Sequence, residues 1–186
     1  MSMLAAIFGI ATVLQGFTLD ASGSGSVVLP VPVDSARSIL RRVSTLEHHM
    51  PGVDAIEARP DGGYDYRTVR EIPFSGEMRT EFVVRCLMDE TGRLVYRTPD
   101  TSAGNWMQFR FTFAPAGEGR TSVQMDLRVR LVREKGTDIH LLAPLLGEEF
   151  LSEQMQNDIT DMLTMFGERL ERHCLETMAG RDVHAR

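Results

Sequence analysis

Residues 148–178 read EEFLSEQMQNDITDMLTMFGERLERHCLETM, a run without proline near the C-terminus. An apolar stripe recurs in it at steps of three and four residues: Leu151, Met155, Ile159, Met162, Phe166 and Leu170. Such spacing keeps the stripe on one face of a helix, and acidic residues such as Glu153 and Asp161 fall on the other. At about 1.5 Å per residue the helix spans roughly 45 Å. The stretch predicts a long amphipathic helix able to cross a whole sheet.

Three earlier runs alternate between apolar and polar residues with the period of a β-strand. The apolar positions are Met78, Thr80, Phe82, Val84 and Cys86 in the first run, Met107, Phe109, Phe111 and Phe113 in the second, and Val123, Met125, Leu127, Val129 and Leu131 in the third. Alternation of this kind is typical of an antiparallel sheet with one face in water and one face covered. The C-terminal helix is the segment large enough to cover that face.

Short turns rich in Gly, Pro and Asp divide the middle of the chain into five extended runs, which predicts antiparallel neighbours. The turns are residues 60–63, 89–92, 99–105 and 116–119. Ahead of them we expect a first strand over Phe17–Leu29, with small residues where the sheet bends or another backbone approaches closely. Two short helices follow, the first with Asp34 as its N-cap and the second ending near Pro51.

The apolar stretch at residues 3–14 is too short to span a bilayer, which takes roughly 20 residues. It also lacks the basic start of a secretory signal, because no Lys or Arg precedes Arg37. We expect a segment packed on the body of the protein, with a membrane-touching segment or a flap over a pocket as alternatives. Residues 139–146 form a second apolar stretch, interpreted as a short helix or a mobile lid.

These elements predict one α+β domain over residues 17–178, preceded by the extension 1–16 and followed by a flexible tail 179–186. The expected architecture is a helix-grip fold. In it a curved antiparallel sheet of about six to seven strands wraps around the long C-terminal helix, and two short helices follow the first strand. The 186 residues suit one domain with a sizeable core.

Several short motifs resemble the START-like superfamily, also called SRPBCC and including Bet v 1-like and polyketide cyclase-like proteins. They are SVVLPVPVD at residues 26–34, MPGV at 50–53, GY at 63–64 and PFSG at 73–76. Within the superfamily they look most similar to the G-type subunit family of carbon monoxide dehydrogenase. The resemblance implies a carrier of hydrophobic ligands or an accessory factor, and it does not imply a reaction.

A sheet that grips one helix leaves an apolar space, and pockets of this kind carry a few polar groups that orient the ligand. The residues expected to face it, and therefore to bind a ligand, are Met78, Phe82, Tyr96, Phe109, Phe111 and Met125 from the sheet and Met155, Ile159, Met162 and Phe166 from the helix. The alternative is that the same side chains close a solid core, as aromatic and Met stripes commonly do.

The sequence offers little for catalysis or for metal and nucleic-acid binding. A net charge of -6 disfavours a nucleic-acid partner, and the two cysteines suit free thiols in a reducing compartment. His48 and His49 are adjacent, so they point in different directions on a helix. Other polar candidates are His140, His173 and His184, Arg70, Glu71 and Arg97, which need partners if they point inward, and Trp106, expected at an entrance or interface.

The sequence therefore predicts a non-catalytic binder or transporter of a lipid, quinone or polyaromatic molecule, without cofactor or metal. The alternatives are a cyclase-type or dehydrase-type enzyme acting on a polyketide-like substrate, and an accessory protein that docks to a membrane or a protein partner through residues 1–16. A cytoplasmic location is expected, with peripheral membrane contact and a homodimer left open.

Overall fold

The computed structural model describes residues 17–72, 76–102, 104–135, 137 and 143–184, apart from the side chains of residues 71, 72, 76, 143, 144 and 180–184. Seven strands and three helices form the described part of the chain. The strands are β1 (Phe17–Leu29), β2 (Val53–Ala58), β3 (Tyr64–Ile72), β4 (Gly76–Met88), β5 (Leu94–Arg97), β6 (Trp106–Pro115) and β7 (Thr121–Arg133). The helices are α1 (Val33–Arg41), α2 (Val43–His49) and α3 (Ala143–His184). The extension 1–16 and His140 lie outside the described residues.

The strands form one antiparallel sheet in the order β1-β7-β6-β5-β4-β3-β2. Every neighbour from β2 to β7 is also the next strand in sequence, as the short turns predict. The chain between residues 64 and 88 forms two strands and not one extended run, with Ile72 paired to Gly76 across the turn. The first strand β1 then joins the far edge by pairing with β7, from Phe17 opposite Arg133 to Leu29 opposite Thr121.

The long helix lies closely against β1, and glycine makes this approach possible. A Cβ atom on Gly23 would stand 2.6 Å from the Cγ2 atom of Ile159 and 3.1 Å from the backbone nitrogen of Thr160. A Cβ atom on Gly25 would stand 3.0 Å from the Cβ atom of Leu163. The expectation that small residues mark a close backbone approach is therefore confirmed.

The predicted covering of the sheet by the helix is also confirmed. Five stripe residues of α3 are buried, and Met162 packs against the core as a half-buried side chain. On the other side of the interface the apolar positions of β4, β6 and β7 point inward, and the polar residues between them are half-buried or exposed. Leu163 and Cys174, which the predicted stripe did not include, are buried as well.

The short helices bridge the end of β1 and the rest of the sheet. Ala36 and Leu40 of α1 are fully buried, and the Tyr96 hydroxyl of β5 donates a 2.8 Å hydrogen bond to the Leu40 carbonyl. The prediction that Asp34 caps α1 was wrong, because the helix begins one residue earlier, at Val33, with Pro32 in the N-cap position. Asp34 instead lies in the first turn and pairs with Arg37 at 3.3 Å.

The start of α3 is interrupted at Gly147, whose φ of 79° and ψ of 163° are not helical. Ala143–Leu146 therefore form a separate short helical turn before the long helix. This agrees with the short-helix interpretation of the second apolar stretch for its last residues, whereas residues 139–142 lie outside the described part of the chain. Within the described residues no helix is long and apolar enough to cross a membrane.

Candidate functional site

A cavity of about 250 Å³ lies between the concave face of the sheet and the first half of the long helix. Its wall is mostly apolar and opens partly to solvent. The lining side chains come from the turn after α2 (Pro51, Gly52, Val53), from the sheet (Tyr66, Thr68, Val69, Arg70, Met78, Thr80, Phe82, Met107, Leu127, Val129, Leu131) and from α3 (Met155, Asp158, Ile159, Met162).

The cavity ends where the aromatic core begins. Phe109, Phe111 and Phe166 are fully buried and pack ring against ring, with centroids 4.1 to 6.5 Å apart. Tyr96 packs edge-on against Phe111 at 6.3 Å. Rings at these separations fill the space between sheet and helix. The molecule is therefore solid at one end of the grip and hollow at the other.

The ten residues predicted to bind a ligand divide between these two ends. Met78, Phe82, Met155, Ile159 and Met162 line the cavity. Tyr96, Phe109, Phe111, Met125 and Phe166 belong to the core and are not among the lining residues. Ligand binding by the first five stays a prediction, and for the second five the packing favours the solid-core alternative.

An ion pair between Arg70 and Asp158 is the main polar feature of the cavity. Arg70 lies on β3 opposite Met78 of β4, and Asp158 lies on α3 between Met155 and Met162. The exposed fractions of the two side chains are 39% and 32%, so the pair stands where the cavity meets solvent. Burial lowers the pKa of the Arg70 guanidinium, yet an arginine remains charged at neutral pH.

Hydroxyl groups deeper in the cavity have defined surroundings. The Thr68 hydroxyl donates to the carbonyl oxygen of Thr80 at 3.3 Å, and the Arg133 guanidinium donates to the Thr80 hydroxyl at 3.0 Å. Tyr66 is buried, and burial raises the pKa of its phenol. These groups remain neutral, so charge in the cavity lining is confined to Arg70 and Asp158.

The arginine was identifiable from the sequence, whereas its partner was missed. Arg70 falls on the inward parity of β3 with Tyr66 and Thr68, and an inward charge requires a partner. Asp158 stands three residues after Met155 and four before Met162, which places it on the stripe face of the helix. An acidic residue inside an apolar stripe was the available signal. The side chain of Glu71 lies outside the described residues, and Arg97 is exposed.

The histidines lie away from the cavity lining. The Nδ1 atom of His48 is 2.6 Å from the Ser44 carbonyl oxygen, while the ring of His49 stacks at 4.7 Å on that of His173, joining α2 to α3. The side chain of His184 lies outside the described residues. Within the described residues, no three His, Cys, Asp or Glu side chains come together as metal ligands. Trp106 is half-buried, with the Arg130 guanidinium 5.8 Å from its ring centroid.

Solved structures share this arrangement of sheet and helix. A Deinococcus radiodurans protein matches 86% of this chain and 99% of its own, with 16% identity and a TM-score of 0.54. A START superfamily protein of Mycobacterium smegmatis matches 84% and 98%, with 15% identity and a TM-score of 0.52. The Zhui aromatase/cyclase of Streptomyces matches 82% and 95%, with 17% identity and a TM-score of 0.52.

The chain has the START-like fold. Identities below 20% in these three comparisons limit the likeness to the fold. No protein-family model matches the sequence, and no curated protein matches it. The similarity to the G-type subunit family of carbon monoxide dehydrogenase stays a prediction. Function in a START-like fold has to be argued from the cavity itself, since one fold serves many activities.

Proposed function

We propose that this START-like protein binds and carries a compact hydrophobic molecule that has an uncharged hydroxyl or carbonyl end. The observation that carries the proposal is the Arg70–Asp158 pair at the open side of an apolar cavity. Ligand pockets commonly measure about 300–1,000 Å³. A cavity of about 250 Å³ therefore suits a small ring system, or the body of a longer molecule whose end remains in solvent.

The chemistry of the pair favours a neutral polar end over a charged one. Arg70 and Asp158 already balance each other, so an incoming carboxylate would have to displace Asp158 from the guanidinium. A carbonyl oxygen accepts a hydrogen bond from Arg70, and a hydroxyl donates one to Asp158, without breaking the pair. Quinones, phenols and hydroxylated lipids carry such groups. The methionines Met78, Met155 and Met162 adapt to ligands of irregular shape.

A matched pair of probes tests the polar contact. 2-Naphthol and 2-methylnaphthalene differ by a hydroxyl in place of a methyl group, and fluorescence titration measures the Kd of each. We expect the protein to prefer 2-naphthol by about tenfold or more, because a hydrogen bond to a charged group contributes about 1.5–3 kcal/mol. The double variant Arg70→Met/Asp158→Leu should lose that preference and still bind 2-methylnaphthalene. An equal preference in parent and double variant would contradict the assigned role of the pair.

A second variant tests the cavity itself. Met78→Trp places a large ring in the empty space and should weaken the binding of both probes while the domain stays folded. The control is Met88→Trp on the same strand, because Met88 is 41% exposed and lies outside the cavity lining. If both tryptophan variants bind like the parent, the ligand site lies elsewhere.

An enzyme of the cyclase type is the second candidate, and the ionisable pair beside the apolar cavity is the observation that favours it. The Zhui aromatase/cyclase has the same fold, which makes this class of reaction the one to test. Incubation with a poly-β-ketone thioester, followed by mass spectrometry, separates the two functions. A carrier returns the compound at the uncatalysed rate, whereas a cyclase accelerates loss of water, and the Arg70→Met/Asp158→Leu variant abolishes that acceleration.

A further inference from the structure

An exposed apolar surface lies at the start of α3, and the cavity does not account for it. Leu145, Leu146 and Phe150 are 83%, 37% and 50% exposed, and all three fall within six residues of the sequence. The non-helical φ of Gly147 separates the two leucines from the helix that carries Phe150. Exposed groups of large apolar side chains mark surfaces that another segment or molecule covers. We call Leu145, Leu146 and Phe150 the α3 shoulder.

The first strand begins beside the α3 shoulder. The backbone amide of Thr18 donates a 2.9 Å hydrogen bond to the Glu148 carboxylate, and Glu148 lies between Leu146 and Phe150 in the sequence. The chain that precedes Phe17 therefore leaves the sheet at the α3 shoulder. That part of the chain contains the uncharged apolar run of residues 3–14.

We infer that residues 1–16 dock on the α3 shoulder of the same chain, through the apolar run 3–14. As a helix this run is about 18 Å long at about 1.5 Å per residue, which is enough to cover three neighbouring side chains. The same helix does not reach Leu175 and Met178, because about 38 Å of helix separates Leu175 from Phe150. The exposed apolar residues at the far end of α3 are therefore outside its range.

Charge favours this occupant over a membrane surface. Glu148, Glu149 and Glu153 are exposed around the α3 shoulder, and no Lys or Arg precedes Arg37 in the sequence. Anionic lipids attract basic segments and repel acidic ones. An uncharged apolar segment has no such conflict with neighbouring carboxylates, and its covalent attachment gives it a high effective concentration at the α3 shoulder.

Site-specific photocrosslinking of the full chain tests the inference. A benzophenone side chain placed at Phe8 should form crosslinks within one chain to the peptide that contains residues 145–150, as mapped by mass spectrometry. Crosslinks between two chains, or to other peptides of the same chain, would overturn the inference. So would flotation of the full chain on phosphatidylcholine or phosphatidylglycerol vesicles that is lost when residues 1–16 are deleted.

A matched pair of surface variants provides the second readout. Leu145→Ser/Phe150→Ser should reduce the crosslink yield from position 8 at least several-fold. The control, Leu175→Ser/Met178→Ser, changes two residues that are 51% and 44% exposed at the other end of the helix, and should leave the yield unchanged. Equal yields in the two variants would overturn the inference. Because none of these residues lines the cavity, the result is independent of probe binding.

Discussion

At the scale of single residues, the contact between β1 and α3 depends on the absence of a side chain at Gly23. Gly23→Val adds a β-branched side chain where even a Cβ atom would stand 2.6 Å from Ile159 and 3.1 Å from the Thr160 backbone. The backbone of α3 cannot retreat without uncovering the core. We expect a loss of about 1–3 kcal/mol in the free energy of unfolding, measured by urea denaturation.

The control for Gly23→Val is Ser22→Val on the same strand, since Ser22 is exposed on the opposite face of β1. Valine suits a strand, so this variant should be as stable as the parent or slightly more stable. Equal losses in the two variants would mean that the strand resists valine in general, and that close packing against the helix is not the cause.

Residue identities could be predicted from the sequence where a pattern repeats and not where a single contact decides. Alternation in β4, β6 and β7 identified the inward side chains. The same alternation could not separate Phe109, which packs in the core, from Met107, which lines the cavity, because both point inward. That difference depends on how far the helix side chains reach toward each strand position, which period-two patterning does not contain.

At the scale of elements, the junction between α2 and α3 is a pair of imidazoles. Burial first, and then the nearby positive charges of His173, His48 and Arg169, lower the pKa of His49, and Glu176 opposes them. In the unfolded chain His49 returns to an ordinary pKa near 6.5. The unfolded state therefore binds more protons as the pH falls below about 7, and the folded state loses stability from there down through the lowered pKa of His49.

The pH dependence of stability tests this junction. Urea denaturation between about pH 5 and pH 8 should give a slope that becomes shallower in His173→Gln, because removal of the neighbouring imidazole relieves one cause of the lowered pKa. His49→Gln should remove this contribution to the slope entirely. A slope that is the same in the parent and both variants would show that the junction does not sense pH.

At the scale of the whole molecule, the sequence predicted the architecture more completely than the site. Periodicity, turns and the long apolar stripe predicted the grip, because each pattern repeats over many residues. The cavity arises from an incomplete fit between the wide end of the sheet and the helix, so it depends on the sum of many side-chain volumes. No single motif states that sum, and only the inward arginine pointed to a polar feature in it.

The division into a solid and a hollow end predicts different costs for truncations at adjacent positions of α3. Leu163 is fully buried and packs against Gly25, whereas the neighbouring Met162 borders the cavity. Leu163→Ala should cost about 2–5 kcal/mol of unfolding free energy, because its truncation opens a hole in close-packed surroundings. Met162→Ala should cost less than half as much, since part of its surface already faces empty space and fewer contacts are lost. Met162→Ala should also enlarge the cavity and allow pyrene, a larger ring system than naphthalene, to bind more tightly than in the parent. Urea denaturation and fluorescence titration measure the two effects, and equal costs without a gain in pyrene binding would mean that the grip is uniformly packed.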